Sequence, residues 1–191
     1  MKIAFNEIKT KSNLLSLVRL FLAIPFWFLL DNFQSEPVRY ITVGFCLIAA
    51  ATDILDGFLA RKFNEITELG KVIDPLADKI VVGIIILKLF LIGQIEAYYF
   101  IMIIGRDLLI FLGGIIISRK IGKVLPSNML GKITVSNIGV VILMILLYIN
   151  RTNFIFMILY YLSILLMIVS LIGYAIRAKE FLKQTEYGIT K

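Results

Sequence analysis

Residues 53–79 read Asp-Ile-Leu-Asp-Gly-Phe-Leu-Ala-Arg-Lys-Phe-Asn-Glu-Ile-Thr-Glu-Leu-Gly-Lys-Val-Ile-Asp-Pro-Leu-Ala-Asp-Lys. The four aspartates fall in two pairs, Asp53/Asp56 and Asp74/Asp78, spaced by three and by four. That is the spacing of neighbours on a helix face. Apolar runs long enough to cross a bilayer flank the stretch on both sides, since a spanning helix needs about 20 mainly apolar residues. Two membrane helices are therefore expected to meet here, each with a carboxylate pair near the shared connection.

Composition outside the stretch agrees. Of 191 residues, 60% are hydrophobic and 17% charged, with a mean hydropathy of +0.94. Soluble domains carry about 45–50% apolar and about 25% charged residues. A chain of this length has too little interior to hide so much apolar surface, so lipid must solvate most of it. The expected fold is an all-α integral membrane protein with six transmembrane helices, at about 14–30, 37–61, 71–92, 96–118, 130–149 and 153–176. Pro37 suits the first turn of the second helix, where a missing N–H costs nothing. No soluble domain, repeat or low-complexity tract interrupts the pattern. Residues 1–191 are read as one membrane domain whose first ten or so residues form a short interfacial segment, without a cleaved signal peptide.

Basic residues set the expected topology. Lys2, Lys9 and Lys11 precede the first span; Arg61, Lys62 and Lys71 flank the second loop; Arg119, Lys120 and Lys123 fill the fourth; Arg177, Lys179, Lys183 and Lys191 follow the last. The odd-numbered loops hold only Arg39 and Arg151. Both termini and the even loops are thus expected in the cytoplasm. The net charge of +7 reads as a collar facing anionic membrane lipids, not as a nucleic-acid footprint.

The aspartates carry the chemistry. Four carboxylates near hydrocarbon repel one another and are costly unpaired, and a divalent cation is the simplest remedy. All-oxygen ligand sets suit Mg²⁺, Mn²⁺ or Ca²⁺ rather than zinc. The chain has no His, so imidazole is excluded as ligand and as base. Cys46 is the single cysteine, so no intramolecular disulfide forms. Gly57 and Ala60 keep one helix face thin, leaving room for a bulky ligand, and Arg61 offers a permanent charge to a phosphate or to a neighbouring carboxylate.

Asp53-x-x-Asp56-Gly57-x-x-Ala60-Arg61, then eight residues, then Gly70-x-x-x-Asp74-x-x-x-Asp78 resembles the complete signature of the CDP-alcohol phosphatidyltransferases. All eight signature positions match. Asn13-x-x-Ser16-x-x-Arg19 with Pro25 resembles that family's N-terminal segment, and Asp74-Pro75-Leu76-Ala77-Asp78-Lys79 its branch of phosphatidylglycerophosphate and cardiolipin synthases. The resemblance implies transfer of a phosphatidyl group from CDP-diacylglycerol to an alcohol with release of CMP, at the cytoplasmic face of the cell membrane. It implies two divalent cations, Mg²⁺ or Mn²⁺, held by Asp53, Asp56, Asp74 and Asp78, with Asp78 also the base. It implies a CDP site formed by Asp53, Asp56, Gly57, Ala60, Arg61 and Gly70, and a homodimer.

For the acceptor, Arg106, Arg119, Lys123 and Lys132 are the candidate anion binders. Gly131-Lys132-Ile133-Thr134 resembles an element of the phosphatidylglycerophosphate branch, which points to glycerol 3-phosphate. That branch also tends to carry Arg-Glu with a second Arg eight positions after the first. Here Asp107 and Gly114 stand in those places, and an Arg-Asp pair is more similar to the cardiolipin-synthase branch, whose acceptor is phosphatidylglycerol. Another polar alcohol, such as an inositol, is a further alternative. An internal Arg106–Asp107 ion pair that locks helix packing is the structural alternative, and topology alone accounts for Arg119 and Lys123. Arg19 either snorkels to the surface or helps hold the donor. Tyr98, Tyr99, Tyr160 and Tyr161 read as belt or packing residues. The competing class is a channel or cation transporter, whose carboxylates would line an ion path; placing all four at one membrane face speaks against it.

Overall fold

The computed structural model describes residues 21, 23–63, 70–121 and 129–186, apart from the side chains at 53, 54, 56–63, 70–78, 118–121 and 184–186. A helix over 23–29 (α1) runs into a 3-10 turn at Leu30–Asn32. Five longer helices follow: Glu36–Phe63 (α2), Gly70–Leu91 (α3), Ala97–Ile121 (α4), Met129–Leu146 (α5) and Phe154–Glu186 (α6). No strand occurs among the described residues. Within lipid this is the expected economy, because an α-helix satisfies its own backbone polar groups.

Among the described residues, three helices are long and apolar enough to cross a membrane: Ala97–Ile117, Met129–Leu146 and Phe154–Lys183. Helices α2 and α3 have the length but carry charged residues toward the ends that residues 64–69 connect, Asp53, Asp56, Arg61 and Lys62 on one and Lys71, Asp74, Asp78 and Lys79 on the other. The apolar, multi-helical build is that of a multi-pass membrane protein.

Helix boundaries depart from the hydropathy pattern where backbone geometry decides them. Helix α3 stops at Leu91 because Gly93 adopts φ +71°; the Gly93 and Gln94 amides then bond back to the Phe90 and Leu89 carbonyls. This paired closure is a Schellman cap. Helix α5 ends at Leu146, three residues before the apolar run does. Tyr148 takes φ +57°, and the Ile149 amide reaches the Met144 carbonyl at 3.0 Å. At the start of α6, the Asn153 side-chain oxygen accepts from the Ile155 and Phe156 amides at 2.9 and 3.4 Å, an N-cap for otherwise orphaned donors. That helix then runs to Glu186, well beyond the apolar stretch. Helix α2 likewise continues through Arg61 and Lys62, so only residues 64–69 separate it from α3.

The chain divides into two compact units, Met1–Ile95 and Glu96–Lys191. In the first, Phe26, Leu30 and Phe33 are buried, and Phe26 meets Phe45 of α2 edge-on at 6.2 Å between centroids. Lys88 of α3 is buried yet charged. Its ammonium pairs with Asp31 in the 3-10 turn and sits 4.4 Å above the Trp27 ring. A cation out of water needs such partners.

The second unit is a three-helix layer with a heptad rhythm. Its buried positions are Phe156, Tyr160, Ser163, Met167 and Ser170 on α6, and on α5 the row Thr134, Ile138, Val141 and Ile145, with Ile142 and Leu146 buried beside that row. Both rows step by four and three, the pattern of a left-handed helix seam. On α4 the buried Tyr99, Ile103 and Arg106 continue it. Polar contacts recur one heptad apart with the same offset. Tyr99 hydroxyl lies 2.8 Å from Ser163 Oγ, and Arg106 Nε lies 3.3 Å from Ser170 Oγ, each pair 64 residues apart. Next along α4, the small partner changes helix: a Cβ on Gly114 would sit 3.1 Å from the Tyr174 hydroxyl, and one on Gly113 would sit 3.3 Å from its ring. Helix α6 turns an opposite face, with Phe154, Tyr161 and Leu165 exposed, outward. Such a contiguous apolar face suits lipid and not water.

At the other end of this unit, Arg151 donates to Glu96 at 2.8 Å, and Tyr160 donates to the second Glu96 oxygen at 3.0 Å. Tyr98 completes the group 2.7 Å from the Tyr160 hydroxyl, so the α5–α6 turn is tied to the start of α4.

Candidate active site

The backbone places the aspartate signature as its spacing requires. Asp53 and Asp56 stand one helical turn apart in the second half of α2, and Asp74 and Asp78 one turn apart in the first half of α3. Each pair therefore lies toward the end of its helix that residues 64–69 connect. Gly57, Ala60 and Arg61 follow on α2, and Gly70 opens α3. The side chains of Asp53, Asp56, Ala60, Arg61, Asp74 and Asp78 lie outside those described. Among the described residues, no group of three or more acidic or thiol side chains gathers. The donor set itself is all carboxylate, on regular helical turns, in a chain without His. It fits a hard divalent cation.

In the second unit the acceptor candidates separate by exposure. Lys132, fourth residue of α5, is exposed. Arg106 is only 6% exposed, and its guanidinium is bonded on three edges. NH1 donates to Asp107 at 2.6 Å, Nε to Ser170 on α6 and NH2 to the Gly131 carbonyl on α5 at 3.4 Å. The Arg106–Asp107 ion pair read as a structural alternative is thus present. Arg119 lies near the end of α4 with its side chain outside the described set, as Lys123 is altogether.

Helix α5 begins with no acidic side chain in its first turn. Its first N–H groups and the positive end of its dipole thus gain no carboxylate from its own sequence. Lys132 adds a full positive charge at the same end. The region is suited electrostatically to an anion such as a phosphate monoester.

Several structural polar residues lie outside the motifs or, for Thr134, close the Gly131-Lys132-Ile133-Thr134 element. Lys88, Ser163, Ser170 and Thr134 are all buried. Thr134 donates to the Leu130 carbonyl at 2.6 Å, with the Leu166 carbonyl of α6 at 3.3 Å. The available signal was the seven-residue interval between Ser163 and Ser170 in an otherwise apolar helix, which places both on one seam.

A family model described as CDP-alcohol phosphatidyltransferase matches residues 9–172. A CDP-diacylglycerol–glycerol-3-phosphate 3-phosphatidyltransferase of Aquifex aeolicus is 33% identical over 174 residues, 86% of this chain and 93% of that protein. The enzyme of the same name from Bacillus subtilis is 38% identical over 101 residues, about half of each chain (52% and 52%). The human cardiolipin synthase (CMP-forming) is 37% identical over 102 residues, 53% of this chain and 33% of that protein.

Proposed function

The chain belongs to the CDP-alcohol phosphatidyltransferase family, and from that premise we propose that it transfers the phosphatidyl group of CDP-diacylglycerol to glycerol 3-phosphate and releases CMP. The observation that carries the acceptor is the likeness to the Aquifex aeolicus enzyme across 93% of that protein's length. The basic, acid-free start of α5 supports it, because glycerol 3-phosphate brings a dianion for Lys132 and the α5 amides to receive.

In this reading Asp53, Asp56, Asp74 and Asp78 would hold two divalent cations, Mg²⁺ or Mn²⁺, which when bound neutralise the pyrophosphate and the departing CMP. Gly57, Ala60 and Gly70 leave space for the cytidine diphosphate, and Arg61 pairs with its phosphates. The acceptor hydroxyl has a pKa far above neutrality and needs a base within hydrogen-bond reach. Asp78 takes that proton as the hydroxyl oxygen bonds to the lipid-side phosphorus. The bond from that phosphorus to the bridging oxygen breaks, and CMP leaves with the electron pair. We place the protein in the cytoplasmic membrane as a single catalytic domain with six spans and with its termini and active site on the cytoplasmic side, supported by the basic residues of the even loops.

Asp107 beside Arg106 favours a second reading, transfer to phosphatidylglycerol to make cardiolipin. Purified protein incubated with CDP-diacylglycerol, Mg²⁺ or Mn²⁺ and one acceptor at a time separates the two. Phosphatidylglycerophosphate identified by mass is the expected product. Turnover with phosphatidylglycerol alone would reject the primary reading.

A further inference from the structure

We propose that Arg106 is a positioning residue that governs acceptor binding through α5, aiming Lys132, and that it does not itself touch the acceptor. The inference rests on the glycerol 3-phosphate reading and adds to it a division of labour within the second unit.

Three observations support it. First, Arg106 is 6% exposed, whereas Lys132 is exposed. Second, the guanidinium bonds one group on each helix of the unit: Asp107 beside it on α4, Ser170 on α6 and the Gly131 carbonyl on α5. A planar fork held on three edges has a fixed orientation. The peptide it grips is the one immediately before Lys132. Third, Gly131 is the residue that admits this contact, since a Cβ there would lie 3.3 Å from Arg106 NH2.

The charge balance points the same way. A cation at the N-terminal end of a helix opposes the helix dipole. Asp107, bonded to the guanidinium at 2.6 Å, offsets that penalty and also cancels most of the field Arg106 could offer to an arriving phosphate. The pair is close to neutral as a unit. The charge left for the acceptor is that of Lys132, whose backbone Arg106 steadies.

A double-mutant cycle on the purified full-length enzyme tests this, reading KM for glycerol 3-phosphate, KM for CDP-diacylglycerol and kcat separately. Lys132→Ala should raise the glycerol 3-phosphate KM about ten- to a hundredfold, the range for a lost charge-assisted hydrogen bond. Arg106→Lys retains charge but loses the fork, and should raise the same KM about tenfold with the donor KM unchanged. In the Lys132→Ala background Arg106→Lys should add no further rise. A multiplied effect in the double variant would mean that Arg106 holds the phosphate independently, and would overturn the proposal. Ser170→Ala and Gly131→Ala keep the arginine while disturbing its seat. They carry the same cycle if Arg106→Lys does not fold, and each should give a smaller rise that vanishes without Lys132. Unchanged KM in Arg106→Lys, Ser170→Ala and Gly131→Ala also overturns it. If the wild-type enzyme releases no CMP with glycerol 3-phosphate, the substrate reading fails and the inference with it; normal turnover with a multiplicative cycle sinks the positioning role alone.

Discussion

Asp31→Asn and Lys88→Met should have unequal effects, although they break the same ion pair. The Lys88 side chain is 8% exposed and that of Asp31 is 52% exposed. Removing the aspartate charge leaves an ammonium buried against Trp27 with no counter-charge, only an amide oxygen and the ring face, a situation that approaches the cost of about 3–5 kcal/mol for deleting one partner of a buried pair. Removing the ammonium leaves a carboxylate that water already reaches, while Met retains most of the apolar stem. The loss is then a half-exposed pair and a cation–π contact, about 1–2 kcal/mol. The double variant removes both charges and should lie within about 1 kcal/mol of Lys88→Met. Equilibrium unfolding in mixed micelles, titrated with a denaturing detergent and followed by circular dichroism, reads the three values. Lys88→Met equal to or worse than Asp31→Asn would refute the reasoning, because it would show that the buried cation does not depend on Asp31. The pair sits about 15 Å along α3 from Asp78, so activity per folded molecule should be unchanged in all three variants.

Further outcomes follow from the site and the layer. Asp53→Asn removes a charged ligand and should lower activity by orders of magnitude, measured as CMP release at limiting metal, while membrane insertion is normal. Asp78→Asn should abolish transfer but largely retain CDP-lipid affinity by calorimetry, whereas Asp74→Asn should lose both; equal loss of affinity in the two would mean that Asp78 serves only as a ligand and leave the base unassigned. Ser163→Val leaves the Tyr99 hydroxyl buried without its acceptor and should cost about 1–3 kcal/mol in the same unfolding assay, with Ser163→Thr milder. Cysteines introduced at Asn32 and Asn153 in a Cys46→Ala background should label from outside the cell and one at Asn64 from inside; Asn64 labelled from outside would reverse the topology.

The family was legible from eight positions because its chemistry demands aspartates on successive helical turns, a pattern composition cannot imitate. Helix existence was legible for a similar reason: lipid requires long apolar runs, and those runs are visible. Helix ends were not. Tyr148 ends α5 by entering a left-handed conformation that hydropathy cannot see, since the apolar run continues through Ile149. Lys62 lay beyond the expected span and is helix, because a charged side chain costs a helix little where it leaves the hydrocarbon. Arg106 was legible as a charge in an apolar run but not as a buried clasp. Its three partners sit one, 25 and 64 residues away, and only the packing of α4, α5 and α6 brings them together.

The repeated offset of 64 residues between α4 and α6 restricts how these helices can move. Tyr99–Ser163 and Arg106–Ser170 lie about 10.5 Å apart along the helices. A slide of α6 by one turn, about 5.4 Å, would therefore strip both clasps at once and set either Tyr99 or Arg106 against the apolar Met167. The Gly113–Gly114 notch would lose the Tyr174 ring in the same stroke. Piston-like travel of one helix along the other has no intermediate stop. Whatever conformational change accompanies lipid entry must carry α4 and α6 together as one stiff strut, tilting or turning, and never telescoping.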